Sequence, residues 1–333
     1  MKLSKAAEHQ LFLYKKYIAK DEEKELDLEP YFKRDIYTDF SDEAEYHSFV
    51  GLSQSQTKNA IRGMNNYFFK KYLDESYRKT KDMTLGDYVH KCILEPHLID
   101  KFVFDDDCIA EILEERPETK NVRATTEYKA WKKQQDLAGK MLITREQKRD
   151  AEYMLESIYK HPYTKDLSPY SGIKEKAGLI YDEEYGLFRR FKWDSLFPNN
   201  VSCILDVKKC QDISPQAFTR DVFKFKYHVQ AFDYLRLAGL KYSIAPKDFV
   251  NLAIESNAPY ECAYYKMSED TLKNGEAIFR CLIENIVSAY ESKEFKISYP
   301  KLKLLSFEDH YPYAEKWVDE FLSEQLHNGG IKK

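Results

Sequence analysis

The sequence predicts an α/β fold: a mixed central β-sheet flanked by helices, with a helical portion at its N-terminal end. Three observations predict it. Residues 186–194 (GLFRRFKWD) and 202–209 (SCILDVKK) are short runs rich in β-branched and aromatic residues and bounded by turn residues, as strands are. Residues 213–235 follow with a Ser214-Pro215 start that suits a helix cap and first helical position. Upstream, stretches with apolar residues at helical spacing recur behind capping residues.

Taken in order, residues 1–45 are acidic and mixed and read as an N-terminal extension, with 46–333 as the functional domain. The run 21–25 (DEEKE) suits a solvated face. Residues 51–74 predict a helix, with Ser53 or Ser55 as cap and Ile61, Met64, Tyr67, Phe68 and Tyr72 at helical spacing. A second helix spans 84–95, capped by Thr84, with Leu85, Val89, Cys92 and Ile93 as its apolar stripe. Residues 102–107 predict a short strand with an acidic tail. The basic stretch 114–139, which carries Tyr128 and Trp131, reads as a mobile loop; its alternative is a loop followed by a solvated helix anchored by Trp131. Residues 144–160 form a helix with Thr144 and Gln147 at capping-box positions. The first strand of the core sheet covers 172–182, a turn follows at 182–184, and the two opening runs form a hairpin separated by Pro198-Asn199-Asn200. Strands at 249–255 and 260–266, a helix capped by Ser268 and a short helix over 313–325 complete the chain.

Composition narrows the function. The chain has 333 residues, 43% hydrophobic and 32% charged, with 11 Gly and 11 Pro, which is an ordered globular profile. A formal net charge of −4 excludes a protein that coats nucleic acid through bulk positive charge, although a local basic track remains open. No apolar run approaches the ~20 residues that span a bilayer, and the N-terminus lacks an apolar signal core, so a cytoplasmic protein without membrane contact is expected. The six cysteines form no C-x-x-C pair, which argues against a zinc ribbon or redox pair and for reduced core residues. The lack of a glycine-rich phosphate loop argues against an ATP-driven helicase.

The candidate chemistry lies in the two strand-like runs. Asp206 and Lys208 are two apart on a strand and share a face, and Asp194 ends the preceding strand. Two converging carboxylates favour a hard cation, Mg²⁺ or Mn²⁺. Lys208 can orient or deprotonate an attacking water, or act as an ammonium on developing negative charge; both roles stay open. A bare D-x-K triplet is common by chance, but Ile204, Leu205 and Val207 make this strand a buried one, where a charge needs a partner. Gln230 and Tyr234, four apart, share a helix face. His90 lies beside the apolar stripe of its helix, four residues after Gly86.

Asp194 followed by Asp206-Val207-Lys208 resembles the PD-(D/E)xK nuclease core, Gln230-x-x-x-Tyr234 resembles the QxxxY motif of its RecB-like and lambda-exonuclease-like branch, and Gly86 to His90 resembles that branch's GxxxH motif. With phrases such as GLSQSQTKN, LGDYVHKCILEP and DVKKCQDISPQAF, the sequence is most similar to RecE-type phage exonucleases over residues 51–291. It departs from the family in Lys192-Trp193-Asp194 before the first acid and in Asp206 as the second; Glu175 is the candidate for a further family glutamate. The resemblance implies His90, Asp194, Asp206 and the Val207 carbonyl as metal ligands, Lys208 beside the attacking water, and Gln230 and Tyr234 as supports. It implies Mg²⁺-dependent exonucleolytic hydrolysis of one strand of linear double-stranded DNA from its 5′ end. The 3′ overhangs would pass to a single-strand annealing protein in phage recombination, within a bacterial host. A homo-oligomeric ring around the DNA is implied; separately, the basic residues and aromatics of 114–139 suit a loop near the DNA entrance. The alternatives are a structure-specific or restriction-like endonuclease of the same superfamily and a catalytically inactive DNA-binding or phage-assembly factor.

Overall fold

The structure, a computed structural model, describes residues 2–33, 43–74, 81–165, 167–197, 202–241 and 246–296. The predicted break at Pro198-Asn199-Asn200 and the short helix over 313–325 lie outside the described residues. Nine strands are present among those described: β1 (Phe102–Phe104), β2 (Met141–Ile143), β3 (Ile173–Lys174), β4 (Ala177–Asp182), β5 (Leu187–Lys192), β6 (Ser195–Phe197), β7 (Cys203–Cys210), β8 (Asp248–Glu255) and β9 (Cys262–Lys266). The α-helical segments are α1 (Lys5–Leu13), α2 (Glu29–Phe32), α3 (Glu43–Ser48), α4 (Gln54–Asn59), α5 (Met64–Phe68), α6 (Lys81–Leu94), α7 (Asp105–Glu115), α8 (Thr126–Leu137), α9 (Arg145–Lys160), α10 (Pro215–Phe225), α11 (Tyr227–Lys241) and α12 (Glu269–Ser292). None is long and apolar enough to cross a membrane.

The central sheet has the order β3-β6-β7-β8-β9. β7 and β8 pair in parallel from Cys203↔Asp248 to Cys210↔Glu255, and the other neighbours are antiparallel, so the sheet is mixed as predicted. Strand alternation divides β7 between two layers. Cys203, Leu205 and Val207 join Val250 and Leu252 against α6 and α9, through Val89, Ile93, Met154 and Ile158. Ile204 joins Phe249 and Ala253 against α10 and α11, through Phe218, Val222 and Leu237. Asp206 shares the parity of Ile204. Behind α11 lies α12, whose Gly275 would place a Cβ 2.2 Å from the His228 carbonyl oxygen; only glycine allows this approach.

Several predicted elements are cut differently. The run 186–194 does not pair directly with β7. A turn with Gly186 at φ +61° folds β5 onto β4, and only the continuation β6 pairs with β7. The predicted strand 172–182 breaks at Glu175, which sits at φ +52°, while Glu175 N–H to Asp194 O (3.0 Å) and Trp193 N–H to Lys176 O (3.1 Å) stitch the two sides together. The helix predicted from Ser214 starts as expected, with Ser214 accepting from Ala217 N–H, but breaks at left-handed Lys226 into α10 and α11. Gly63, at φ +96°, likewise divides the predicted 51–74 helix. The second helix covers Lys81–Leu94 among the described residues, so Thr84 lies inside it rather than capping it.

The predicted strand 102–107 stops at Phe104. Asp105 is buried and starts α7, where it accepts from Arg123 Nε (2.9 Å) and the Tyr128 hydroxyl (2.9 Å). The basic stretch after it contains a helix, α8, capped by Thr125, so the alternative reading applies. Its Tyr128 and Trp131 close a small core of their own with Cys108, Ile112 and Val122. The capping box at Thr144 and the cap at Ser268 form as predicted.

A buried charge network fastens α11 to the β4–β5 hairpin. Arg189, fully buried, meets Asp233 of α11 at 2.6 Å and donates to Leu52 O at 3.0 Å. Arg236 of α11 donates two hydrogen bonds to Asp182 at 2.7 and 2.8 Å and reaches Glu184 at 2.6 Å. Arg189→Met leaves Asp233 buried without its cation, so urea unfolding is expected to show a loss of about 3–5 kcal/mol. Glu184 is different. It is half exposed, and its hydrogen bond from Arg236 holds its pKa down to about 2. Its stabilising effect is therefore full above the unfolded carboxylate range and fades as pH falls towards 2. Glu184→Gln should cost under about 1 kcal/mol at pH ~6 and nothing at pH ~2, as read by unfolding curves at both.

Candidate metal centre

His90 projects from α6, which is held on the sheet by Leu85, Val89 and Ile93. The open side of Gly86 meets the aliphatic stem of Lys209. Asp194 lies at the crossing between β5 and β6, and the break at Glu175 carries a second carboxylate to the same point. His90 Nε2 is 3.2 Å from Asp194 Oδ2 and 3.6 Å from Glu175 Oε1. Asp194 Oδ2 also accepts from Val207 N–H at 2.7 Å, which locks the acid to β7. One ligand atom from each of His90, Glu175 and Asp194 lies within 4.8 Å of the other two.

The remaining motif residues form an adjoining group. Asp206 is almost fully buried; its Oδ2 is 2.6 Å from Lys208 Nζ and its Oδ1 accepts from Gln230 Nε2 at 2.9 Å. The Lys208 ammonium lies 4.9 Å from the centre of the Tyr227 ring. Tyr234, one turn beyond Gln230, is half-buried against the α11-side core, and burial raises its hydroxyl pKa far above the usual value. The structure thus joins His90 to Asp194, adds Glu175, and places Asp206 with Lys208 and Gln230. Val207 presents its N–H to Asp194. A groove of about 350 Å³ opens beside them, lined by Gly86, Asp87, His90, Val207, Lys208 and Lys209 among others.

The charges are mutually supporting. Burial disfavours the His90 imidazolium, but Asp194 and Glu175 outweigh it and push its pKa up to about 9. Burial likewise opposes ionisation of Asp194, yet His90, Lys208 and the Val207 N–H bring it down to about 2. Burial lifts Asp206 to about 6 against the pull of Lys208, and Lys208 rises to about 12 because Asp206 and Asp194 overcome its own desolvation. At neutral pH His90, Asp194 and Lys208 are charged.

Two neighbours carry less obvious signals in the sequence. Lys192, two residues before Asp194, reaches Glu175 Oε2 at 2.5 Å. Lys58 of α4 donates to Phe225 O at 3.3 Å, and burial together with Lys208 lowers its pKa to about 8. In the sequence Lys58 is one of several cations along residues 51–74, with Arg62, Lys70 and Lys71.

A family model described as "PDDEXK-like domain of unknown function (DUF3799)" matches residues 53–298. The chain belongs to this PDDEXK-like family. The crystal structure of a candidate exonuclease from Eubacterium rectale is similar in fold, with a TM-score of 0.51 and 15% identity over 86% of this chain and 98% of that one. A second solved structure, SSO0001, matches 65% of this chain and 89% of its own at 15% identity and a TM-score of 0.26, too low to carry an argument. No curated protein matches the chain.

PDDEXK-like membership implies a divalent cation, and the residues present fit one. Glu175 Oε1 is buried without a hydrogen bond, and the donor set of one imidazole and two carboxylates suits Mn²⁺ or Mg²⁺. Saturating Mn²⁺ is expected to raise the melting temperature of the wild type by about 2–4 °C and to leave that of Asp194→Asn or Glu175→Gln nearly unchanged, as read by differential scanning fluorimetry.

Proposed function

We propose that this PDDEXK-like chain is a Mg²⁺- or Mn²⁺-dependent deoxyribonuclease that hydrolyses one strand of linear double-stranded DNA from its end. The observation that carries this reading is the cluster of His90, Glu175 and Asp194 one strand away from the Asp206–Lys208 contact. PDDEXK-like membership supports a nuclease.

In this reading His90, Glu175 and Asp194 hold the cation, and Asp206 and the Val207 carbonyl are the remaining ligand candidates from the motif. A cation held there supplies Lewis acidity towards a phosphoryl oxygen. Lys208 is an ammonium beside the site, so it orients the attacking water through its lone pair and stabilises charge on the phosphoryl oxygens. Gln230 fixes the Asp206 carboxylate so that Lys208 keeps one direction. Tyr234 backs Gln230 on the same face of α11. Lys208 and Lys209 give the groove positive charge in a chain of net charge −4.

The finer reading rests on the RecE-type resemblance: attack from the 5′ end, a 3′ overhang, transfer to a single-strand annealing protein, and a homo-oligomeric ring that keeps the enzyme on DNA. Digestion of end-labelled linear duplex alongside a covalently closed circle tests the proposal. Loss of the 5′ label with Mg²⁺, and an intact circle, are expected. Cleavage of the circle would make the protein an endonuclease, and no cleavage of either would remove the reading. Lys208→Ala and Asp206→Ala should each lower the rate by about 10²–10⁴-fold while circular dichroism stays that of the wild type.

A further inference from the structure

A second concentration of charge lies away from the metal centre. A cavity of about 30 Å³ is lined by Gln10, Tyr14, Gln56, Lys71, Tyr72 and Arg190, among others. That volume has room for one or two waters or a single ion of their size. Two of its lining groups are cations, and none of its described lining residues is acidic. Lys71 Nζ donates to Gly51 O and to Gln56 Oε1, both at 2.9 Å, and lies 5.6 Å from the centre of the Tyr72 ring. An ammonium has three donors, so one remains without an acceptor among the described residues.

Arg190 is 5% exposed. One terminal nitrogen donates to the carbonyls of Tyr46 (3.2 Å), His47 (2.9 Å) and Phe49 (2.8 Å), while its Nε is buried and has no hydrogen-bond partner. A buried cation without an anion carries a large desolvation cost, and a buried donor without an acceptor adds to it. Desolvation of the half-buried Lys71 amine, then Arg190 and Arg189, push its pKa well below the usual lysine value, and a negative charge beside it would favour the ammonium.

We propose that this cavity binds one small inorganic anion of halide size between the Lys71 ammonium and the Arg190 guanidinium. The anion supplies the missing negative charge and the acceptor for Arg190 Nε. It also links the segment from Tyr46 to Gly51 with β5, independently of the proposed nuclease activity.

Bromide is the probe. Wild-type crystals grown without halide and soaked in bromide at tens of millimolar should show an anomalous-scattering peak between Lys71 Nζ and Arg190 Nε. At matched ionic strength, chloride or bromide should raise the melting temperature by about 2–4 °C over gluconate. Lys71→Met should lose both the peak and the halide dependence. A wild-type cavity that holds only water, or a peak that forms only at molar bromide, overturns the proposal, and this outcome stands whether or not Lys71→Met folds.

Discussion

The orientation of α11 rests on charges that water never reaches. Arg189 and Asp233 are both fully buried, and each would be costly alone. Their contact fixes α11 against β5, and Arg236 repeats the arrangement one turn later through Asp182. A hydrophobic face alone would let the helix slide by fractions of a turn. The ion pairs remove that freedom, and Gln230, on the same helix, then meets Asp206 at hydrogen-bond distance. The site inherits its geometry from this distant clamp.

Within the site, one carboxylate organises three elements. Asp194 stands where β5 passes into β6, takes the Val207 N–H of β7 and faces His90 of α6. Each partner lowers the cost of keeping a buried carboxylate ionised. The His90 imidazolium balances part of the negative charge of Asp194 and Glu175.

Local chemistry made much of this legible. Thr144 with Gln147, Ser214 before Pro215, and Ser268 each announce a helix start through the hydrogen bond they offer. The parity of Asp206 and Lys208 follows from the strand period alone. The rest was hidden where tertiary structure overrides local preference. Glu175 and Lys226 take left-handed conformations that residue type does not foretell, and their breaks decide where a carboxylate points and where α11 begins. Asp105 looks like a solvated acid in the sequence and becomes a buried anchor because Arg123 and Tyr128 arrive from later in the chain. The grouping of Glu175 with His90 and Asp194 depends on three segments that only the folded sheet assembles.

The excursion between β1 and β2 has a consequence of another kind. It leaves from Phe104 and returns at Met141, on strands paired side by side, and it carries its own apolar nucleus around Cys108, Ile112 and Tyr128. Asp106 and Asp107 of this appendage contact Arg145 of α9, but its nucleus packs on itself, so a change inside the nucleus should leave the register of the central sheet undisturbed.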